Sequence, residues 1–208
     1  FYPEFDKVQV TRDSELKAPG ILILWGGGDI HPSYYGRSNQ GSYTGNAPST
    51  RDMDEVVLFT KAQKAGLFIL GVCRGAQLGC ALSGGILVQD VDGHNFGHRI
   101  TTYDGETFMA SSLHHQMMYP WDIEHKLIAW SSTPRSPDYK GLTDEEWKRW
   151  PKRIYEELKN EEDIIEPEIV FFPTTKCLAV QGHPEMMSPH CQHNQYLKKL
   201  IDKFYLHA

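Results

Sequence analysis

The sequence predicts an α/β protein built around a mainly parallel sheet. Short apolar runs such as Ile21 to Trp25 and Leu67 to Val72 are bounded by glycine or proline, which is typical of buried strands. Amphipathic stretches lie between these runs, and alternation of strands with helices favours parallel pairing. With 208 residues, 40% of them hydrophobic and 23% charged, the chain has the size of one domain with a substantial core.

Local signals place the elements in chain order. Ile21 to Trp25 is a predicted strand that ends at the glycine run Gly26 to Gly28, and a helical repeat from Met53 to Gln63 ends at Gly66, a residue type favoured just past a helix. The strand that ends at Val72 is followed by a predicted helix. The later predicted elements are that helix from Arg74 to about Leu82, strands at Ile86 to Val91, Leu127 to Trp130, Ile169 to Phe172 and Leu178 to Gln181, and a terminal helix opened by Ser188 and Pro189.

One segment, residues 143–168, stands apart because ten of its residues are acidic and five are basic. Thr143 and Glu146 form a capping box, and Trp147 and Trp150 begin an apolar repeat, which predicts a helix broken at Pro151. We interpret the chain as a single domain over residues 1–208 with an inserted acidic helical segment at about 143–168. The alternative for this segment is a partner-binding acidic surface.

Composition and charge exclude several classes of protein. The net charge of -6 provides no basic footprint for nucleic acid, and no apolar run approaches the roughly 18 residues of a membrane span. Residues 1–5 lack the basic and apolar regions of a secretory signal. We therefore expect a cytoplasmic protein that acts on a small molecule, with free thiols at its four cysteines, Cys73, Cys80, Cys177 and Cys191.

Cys73 lies between glycines at a predicted strand-to-helix turn, the arrangement of a nucleophile elbow. The N-terminus of the following helix favours a thiolate there. The backbone N–H of Arg74 and that of Gly27 are the candidate oxyanion-hole donors. A small buried core residue is the alternative for a lone cysteine, but the flanking Gly71 and Gly75 favour the nucleophile.

His183 and Glu185 follow a predicted strand and are two residues apart, so in an extended segment they point to the same side. A histidine can supply the proton that a departing amine requires, and a carboxylate can fix its tautomer. The alternative is a surface pair on either side of Pro184.

The motifs Gly71 to Gln77 and Gln181 to Glu185 resemble the two signatures of class I glutamine amidotransferases. Other segments look like the γ-glutamyl hydrolase branch of that superfamily, which includes γ-glutamyl-γ-aminobutyrate hydrolase-like proteins. These segments are Gly26 to Pro32, Tyr35 with Gly36, Arg51 and Asp52 with Glu55, and Ser112 to Gln116. The resemblance covers the chain from about Ile21 to Glu185.

The resemblance implies a flavodoxin-like three-layer sandwich, a triad of Cys73, His183 and Glu185, a thioester intermediate, and neither a metal nor an organic cofactor. It also implies an oxyanion hole and contacts to the amino-acid end of the substrate. The residues implied are Gly27 and Arg74 for the oxyanion hole, and Gly28, Gln77, Ser112, Leu113 and His114 for the substrate.

The sequence departs from the family pattern at several places. Ser111 replaces a usual asparagine, Gly182 replaces a usual aromatic residue, and the family's first strand and helix are missing before an apparent second strand at Val8 to Val10. We expect the Gly182 change to widen the leaving-group side of the site.

Three functions follow as hypotheses. The first is a hydrolase that cleaves the amide of glutamine or a γ-glutamyl compound. The second is a glutaminase subunit that passes ammonia to a separate synthetase, and the third is a catalytically silent binding protein. No metal is predicted, although His94 with His98, and His190 and Cys191 with His193, have ligand-like spacing without a full ligand set, which leaves a structural zinc as the alternative.

Overall fold

The computed structural model describes residues 6–133, 135–154 and 162–206. The strands are β1 (Ile21–Leu24), β2 (Phe68–Val72), β3 (Ile86–Val88), β4 (Asp90–Val91), β5 (His98–Thr102), β6 (Thr107–Ala110), β7 (Met117–Tyr119), β8 (Lys126–Ser131), β9 (Tyr139–Lys140), β10 (Lys152–Ile154), β11 (Glu162–Ile164), β12 (Pro167–Phe172) and β13 (Cys177–Val180). The α-helices are α1 (Thr50–Ala65), α2 (Arg74–Leu82), α3 (Asp144–Arg149) and α4 (Gln192–Ile201). Short 3-10 turns lie at Pro32–Tyr35, Pro173–Thr175 and Pro184–Met186, and a π turn at Asp202–Leu206.

Seven strands form the central sheet in the order β1-β2-β13-β12-β8-β5-β6. The pairs β1–β2 and β2–β13 are parallel, and the four remaining pairs are antiparallel. The predicted α/β class is confirmed. Parallel pairing is found in the three strands β1, β2 and β13, whose carboxyl ends lie at one edge of the sheet and deliver the residues of the site.

Helices cover both faces of the sheet, and β13 shows why. Its residues alternate in direction, as the period of a strand requires. Cys177 and Ala179 join the core cluster that includes α1 and α2, whereas Leu178 and Val180 join the cluster that includes α4. The two apolar clusters form the layers above and below the sheet.

The helix α1 begins and ends where the sequence signals predict. Ser49 and Asp52 form a reciprocal capping box at its N-terminus, and Gly66 ends it in the left-handed conformation with φ 76°. α2 spans the residues predicted for it. The predicted order of strand, cysteine and helix is therefore confirmed around Cys73.

The helical interpretation of residues 143–168 is wrong for the described residues beyond Arg149. The capping box forms, but Pro151 ends the helix, and β10 and β11 follow as an antiparallel pair. Residues 155–161 lie outside the described part of the chain. Glu166 and Glu168 are 0% and 2% exposed, so they are not part of an acidic surface. Glu168 is the second residue of the buried strand β12, and Glu166 directly precedes that strand.

The apparent strand at Val8 to Val10 is also wrong, because no strand precedes β1 within the described residues. Val8 is 80% exposed and pairs with nothing in the sheet, whose order starts at β1. Across the described ranges, every helix is too short or too polar to cross a bilayer.

Candidate active site

Cys73 sits on a turn that tolerates almost no side-chain volume around it. Its φ of 50° is uncommon for any residue other than glycine, which marks a strained turn. A Cβ added at Gly71 would lie 2.4 Å from the carbonyl oxygen of Gly75, and a Cβ at Gly75 would lie 2.1 Å from that of Leu24. Both glycines are therefore required for β2, the turn and α2 to meet at this distance.

The backbone and thiol of Cys73 are held between two strands and a loop. Its N–H donates to the carbonyl of Val180 at the end of β13, with N and O 2.8 Å apart. The thiol contacts the carbonyl oxygen of Leu113 at 3.9 Å, and the residue is 4% exposed. Because Cys73 precedes the first residue of α2, the free N–H groups of that helix end face it.

His183 and Glu185 lie on the neighbouring chain segment after β13. The Nδ1 of His183 is 2.7 Å from Oε1 of Glu185. A Cβ added at Gly26 would lie 2.7 Å from Cε1 of His183 and 3.4 Å from Cβ of Cys73, so these two residues converge on the same glycine. The structure thus brings together the cysteine, histidine and glutamate that the sequence singles out.

The pKa of His183 is raised from 6.5 to about 9. Its hydrogen bond with Cys73 is the largest cause, burial opposes the shift, and the hydrogen bond with Glu185 adds to it. Partners that stabilise the imidazolium produce this direction of shift. A histidine that carries a proton at neutral pH next to a cysteine is placed to donate that proton in a reaction at the sulfur.

Ser111 holds His183 from the other side, a contact that the sequence did not predict. Its Oγ accepts the backbone N–H of His183 at 2.8 Å. A Cβ at Gly182 would lie 2.4 Å from the carbonyl oxygen of Ser111. The missing side chain therefore lets the two segments approach each other, and a wider leaving-group side stays a prediction. The paired departures from the family pattern at these positions were the signal available in the sequence.

The loop after β1 carries the candidate oxyanion donor Gly27. One guanidinium nitrogen of Arg51 donates to the carbonyls of both Trp25 and Gly26, at 2.9 and 3.0 Å. The Gly26–Gly27 peptide is trans, so its N–H points opposite to its carbonyl. With the Gly26 carbonyl directed at Arg51, the N–H of Gly27 is directed away from Arg51. A Cβ at Gly27 would overlap Nη1 of Arg51 at 2.1 Å, so only glycine fits there without movement.

The side chain of Arg74 is directed at two carboxylates of α1, and its backbone N–H is the first of α2. It is 2% exposed and forms ion pairs with Asp52, at 2.5 Å, and with Glu55. Glu55 also pairs with Arg51 at 2.8 Å. This four-membered network joins α1 to the cysteine turn and to the glycine loop. The sequence showed these residues as part of a family resemblance without indicating their contacts.

The five predicted substrate residues are placed at different depths. Gly28 borders open space, and Leu113 is 56% exposed beside the thiol. Gln77 is 3% exposed and donates its amide to the Gln116 carbonyl at 2.9 Å, so its side chain lies beneath the site. The remaining two are buried: Ser112 donates to the carbonyl of His94, and burial lowers the pKa of His114 well below its ordinary value.

A cleft of about 250 Å³ opens beside the glycine loop. It shares Gly28 and Arg74 with the site, whereas Cys73 and His183 lie outside its lining. Next to it the ring of Tyr43 stacks on His115 at 4.1 Å. The lining residues are Gly28, Asp29, Tyr43, Thr44, Gly45, Ala47, Ser49, Arg51, Asp52 and Arg74.

The similarity to known sequences covers the glycine loop, the cysteine turn and the segment from Ser112 to Gln116. The family model for peptidase C26 matches residues 14–118. A protein of Mycobacterium tuberculosis named as a glutamine amidotransferase, Rv2859c, is 37% identical over 81 residues, which are 38% of this chain and 26% of that protein. The glutamine amidotransferase-like protein YvdE of Lactococcus lactis subsp. lactis is 39% identical over 70 residues, which are 34% of this chain and 29% of that protein. The matches thus span less than a third of these two relatives.

Comparison with solved structures shows the same fold. A protein of Thermoplasma acidophilum named as part of a GMP synthase superposes with a TM-score of 0.53 at 14% identity, covering 90% of this chain and 73% of the other. The PurLQS structure from Thermotoga maritima gives a TM-score of 0.51 at 13% identity, covering 83% and 72%. At such low identity the likeness concerns the fold alone.

Proposed function

Because the chain belongs to the peptidase C26 family, within the class I glutamine amidotransferase-like superfamily, we propose that it is a hydrolase with Cys73 as its nucleophile. Its substrate is the amide of glutamine or of a γ-glutamyl compound, and the reaction passes through a thioester. The observation that carries the proposal is the strained turn at Cys73 facing the hydrogen-bonded pair of His183 and Glu185.

In the first half of the reaction, the Cys73 thiolate attacks the amide carbon. The negative charge on the carbonyl oxygen is stabilised by the N–H groups of Gly27 and Arg74. The imidazolium of His183 gives its proton to the departing amine, the carbon–nitrogen bond breaks, and the acyl group remains on sulfur as a thioester. Glu185 keeps Nδ1 of His183 occupied, so that Nε2 serves the reaction.

In the second half, water replaces the amine. The largest cause of the raised pKa of His183 is its bond to Cys73. Acylation removes the charge from sulfur, so the pKa of His183 falls toward its ordinary value and the neutral ring can take a proton from water. The resulting hydroxide attacks the thioester, which releases the γ-glutamyl acid and regenerates the Cys73 thiolate. One histidine is thus an acid before acylation and a base after it.

The experiment is a substrate panel of glutamine and γ-glutamyl conjugates, assayed for amine release by wild type and by Cys73→Ala. We expect the wild type to release amine steadily without any partner protein, and the variant to release none. The variant should remain folded, because the substitution removes only one sulfur atom. Equal rates for both proteins would refute the mechanism.

Labelling by a glutamine-like diazo-ketone separates the nucleophile from the other thiols. Burial raises the pKa of Cys80, and raises that of Cys177 to about 12, so neither should react. Cys191 is partly exposed and is the matched control for simple accessibility. Mass spectrometry should find the label on Cys73, and label mainly on Cys191 would contradict the assignment.

Transfer of ammonia to a separate synthetase is the second function considered. Its proposed docking surface was the acidic segment, but Glu166 and Glu168 of that segment are buried. The panel distinguishes the two functions: activity that rises only when a synthetase is added would favour transfer. A trapped substrate without release would favour the silent binding protein.

A further inference from the structure

A buried cluster of two histidines and a glutamate lies outside the proposed catalytic triad. His94, His98 and Glu168 are 0%, 3% and 2% exposed. One candidate ligand atom from each lies within 4.8 Å of the other two. His98 is on β5 and Glu168 is on β12, the two strands that flank β8, and His94 is in the loop before β5. Glu168 therefore meets in the core two histidines that precede it by 70 or more positions in the sequence.

The orientation of each histidine ring matches that of a metal ligand. Nδ1 of His94 faces Oε1 of Glu168 at 3.6 Å, while its Nε2 faces Oε2 of Glu166 at 3.2 Å. Nε2 of His98 lies 2.7 Å from the same Oε1, and its Nδ1 faces the carbonyl of Phe96 at 3.4 Å. Metal-binding histidines typically direct the second nitrogen to a carboxylate or a backbone carbonyl in this way.

His94 supplies an independent indication of a missing ligand. Its ring is completely buried, yet among the described residues neither nitrogen has a hydrogen bond of acceptable geometry, including Nε2 near Glu166. An unsatisfied buried polar group costs about 1–3 kcal/mol, so such groups are rare in native proteins. A cation between Nδ1 of His94 and Glu168 would satisfy the first nitrogen and fix the second as a donor to Glu166.

The charges of the cluster also call for a cation. Within the described residues, the ion-pair partners of Glu168 are His94 and His98 alone, with no lysine or arginine. Glu166 accepts neutral donors, namely the N–H groups of Arg135 and Ser136 and the hydroxyl of Tyr139, in addition to its contact with His94. Two buried carboxylates without a fixed positive charge are costly unless protons or a metal ion neutralise them.

We propose that His94, His98 and Glu168 bind a zinc ion that has a structural role. Two imidazoles and one carboxylate suit Zn²⁺ better than Ca²⁺ or Mg²⁺, which prefer oxygen ligands. His114 is available for the fourth position, since its Nε2 has no hydrogen-bond partner in the described part of the chain and its ring centroid is 4.5 Å from that of His94. Glu166 lies behind His94 as the carboxylate that orients it.

Without the ion, His98 and Glu168 share a proton across their 2.7 Å contact. Ligand atoms of a tetrahedral zinc are roughly 3.3–3.5 Å apart, so these two atoms separate by less than about 1 Å when the ion replaces that proton. The other group with ligand-like spacing in the sequence, His190 and Cys191 with His193, does not come together as a site. His190 is exposed, whereas His193 is 1% exposed and faces the sulfur of Met187.

The site would stabilise the loop that faces the thiol. The carbonyl of His94 accepts bonds from Oγ of Ser112 at 2.7 Å and from the N–H of His114 at 3.1 Å. Leu113, whose carbonyl contacts Cys73, lies between those two residues. An ion that fixes His94 therefore also fixes the Leu113 carbonyl, although it touches none of the reacting atoms.

The test measures zinc per chain, by inductively coupled plasma mass spectrometry, in the untagged full chain carrying Cys73→Ala so that the proposed nucleophile cannot bind the metal. We expect about one zinc per chain. His94→Gln and His98→Gln should lose it, and His190→Gln, the matched surface control, should keep it. Zinc retained by both cluster variants would overturn the proposal.

A second measurement avoids dependence on the folding of the variants. The wild-type chain is stripped with a chelator, and its thermal unfolding is followed with and without added Zn²⁺. Zinc should raise the midpoint by about 5 °C or more, and Co²⁺ should give the visible absorption of a tetrahedral site. An isolated chain without zinc whose midpoint is unchanged by Zn²⁺ would overturn the proposal. Both readouts are independent of activity, so the proposed function can fail or succeed separately.

Discussion

Substitution of Gly26 by alanine perturbs the proposed site through one methyl group. The new Cβ would lie 2.7 Å from Cε1 of His183, whereas ordinary contacts begin near 3.4 Å. The ring must retreat by about 0.7 Å, since atoms this close repel steeply. It is held on its far side by Glu185 and through its backbone by Ser111, so the movement distorts the bond to Cys73.

A misplacement of about 1 Å can cost about 100-fold in rate, which corresponds to about 2.7 kcal/mol of transition-state stabilisation. We expect kcat for a chromogenic γ-glutamyl anilide to fall by about this factor in Gly26→Ala, with KM little changed, because the substrate does not contact the methyl group. The pKa of His183 should also fall from about 9 toward 6.5, since its bond to Cys73 is the largest cause of the shift.

The matched control is Gly20→Ala, just before the start of β1. A Cβ there meets its nearest atom, the carbonyl oxygen of Lys17, at 3.6 Å, an ordinary contact. Both variants should keep the thermal unfolding midpoint of the wild type. Full wild-type activity in a folded Gly26→Ala protein would refute the proposed position of His183 in the reaction.

Three further predictions concern the triad and the ion pairs beneath it. Glu185→Gln should lower kcat less than His183→Ala and leave KM almost unchanged, because the imidazole and the oxyanion donors remain; wild-type activity at every pH would remove Glu185 from the site. Histidine NMR should give His183 a pKa near 9 in wild type and a lower value in Cys73→Ala. The stability linked to this proton is present below pH 6.5 and is lost as pH rises through about 9. Between these pH values the unfolding free energy of wild type should therefore fall more steeply than that of Cys73→Ala. Equal slopes for the two proteins would contradict the hydrogen bond between His183 and Cys73. Asp52→Asn should cost about 3 kcal/mol in urea unfolding, because it removes one of the two carboxylates that pair with the buried Arg74 guanidinium and leaves only Glu55. Asp54→Asn, whose partner is exposed, should cost less than about 1 kcal/mol; equal losses would refute the difference.

Local patterns in the sequence predicted the elements around the site well. Gly66 ends α1, and α2 spans the residues expected from the helical signals after Cys73. These outcomes depend on neighbours in sequence: a capping box, an αL glycine and a short apolar run. The carboxyl ends of β2 and β13 then place Cys73 near His183, because parallel neighbouring strands end at the same edge of the sheet.

Contacts between distant segments could not be predicted in this way. Glu168 was assigned to an inserted acidic helical segment, and only the order β12-β8-β5 shows that it lies in the core beside His98. The helical expectation failed for residues 152–154 and 162–164, because Pro151 stops α3 and these two segments pair as strands. Ser111 was visible only as a departure from a family pattern, since its bond to His183 joins residues 72 positions apart.

The hydrogen bonds of Arg51 to the glycine loop connect the position of α1 to the geometry of the proposed oxyanion hole. Its guanidinium holds two successive carbonyls, and its own backbone lies in the first turn of that helix. If the helix end rotates, the Gly26–Gly27 peptide loses the contact that sets its direction, and the N–H of Gly27 is free to turn away from the substrate. Damage to the start of α1 would therefore produce a protein that still captures its substrate and fails to convert it.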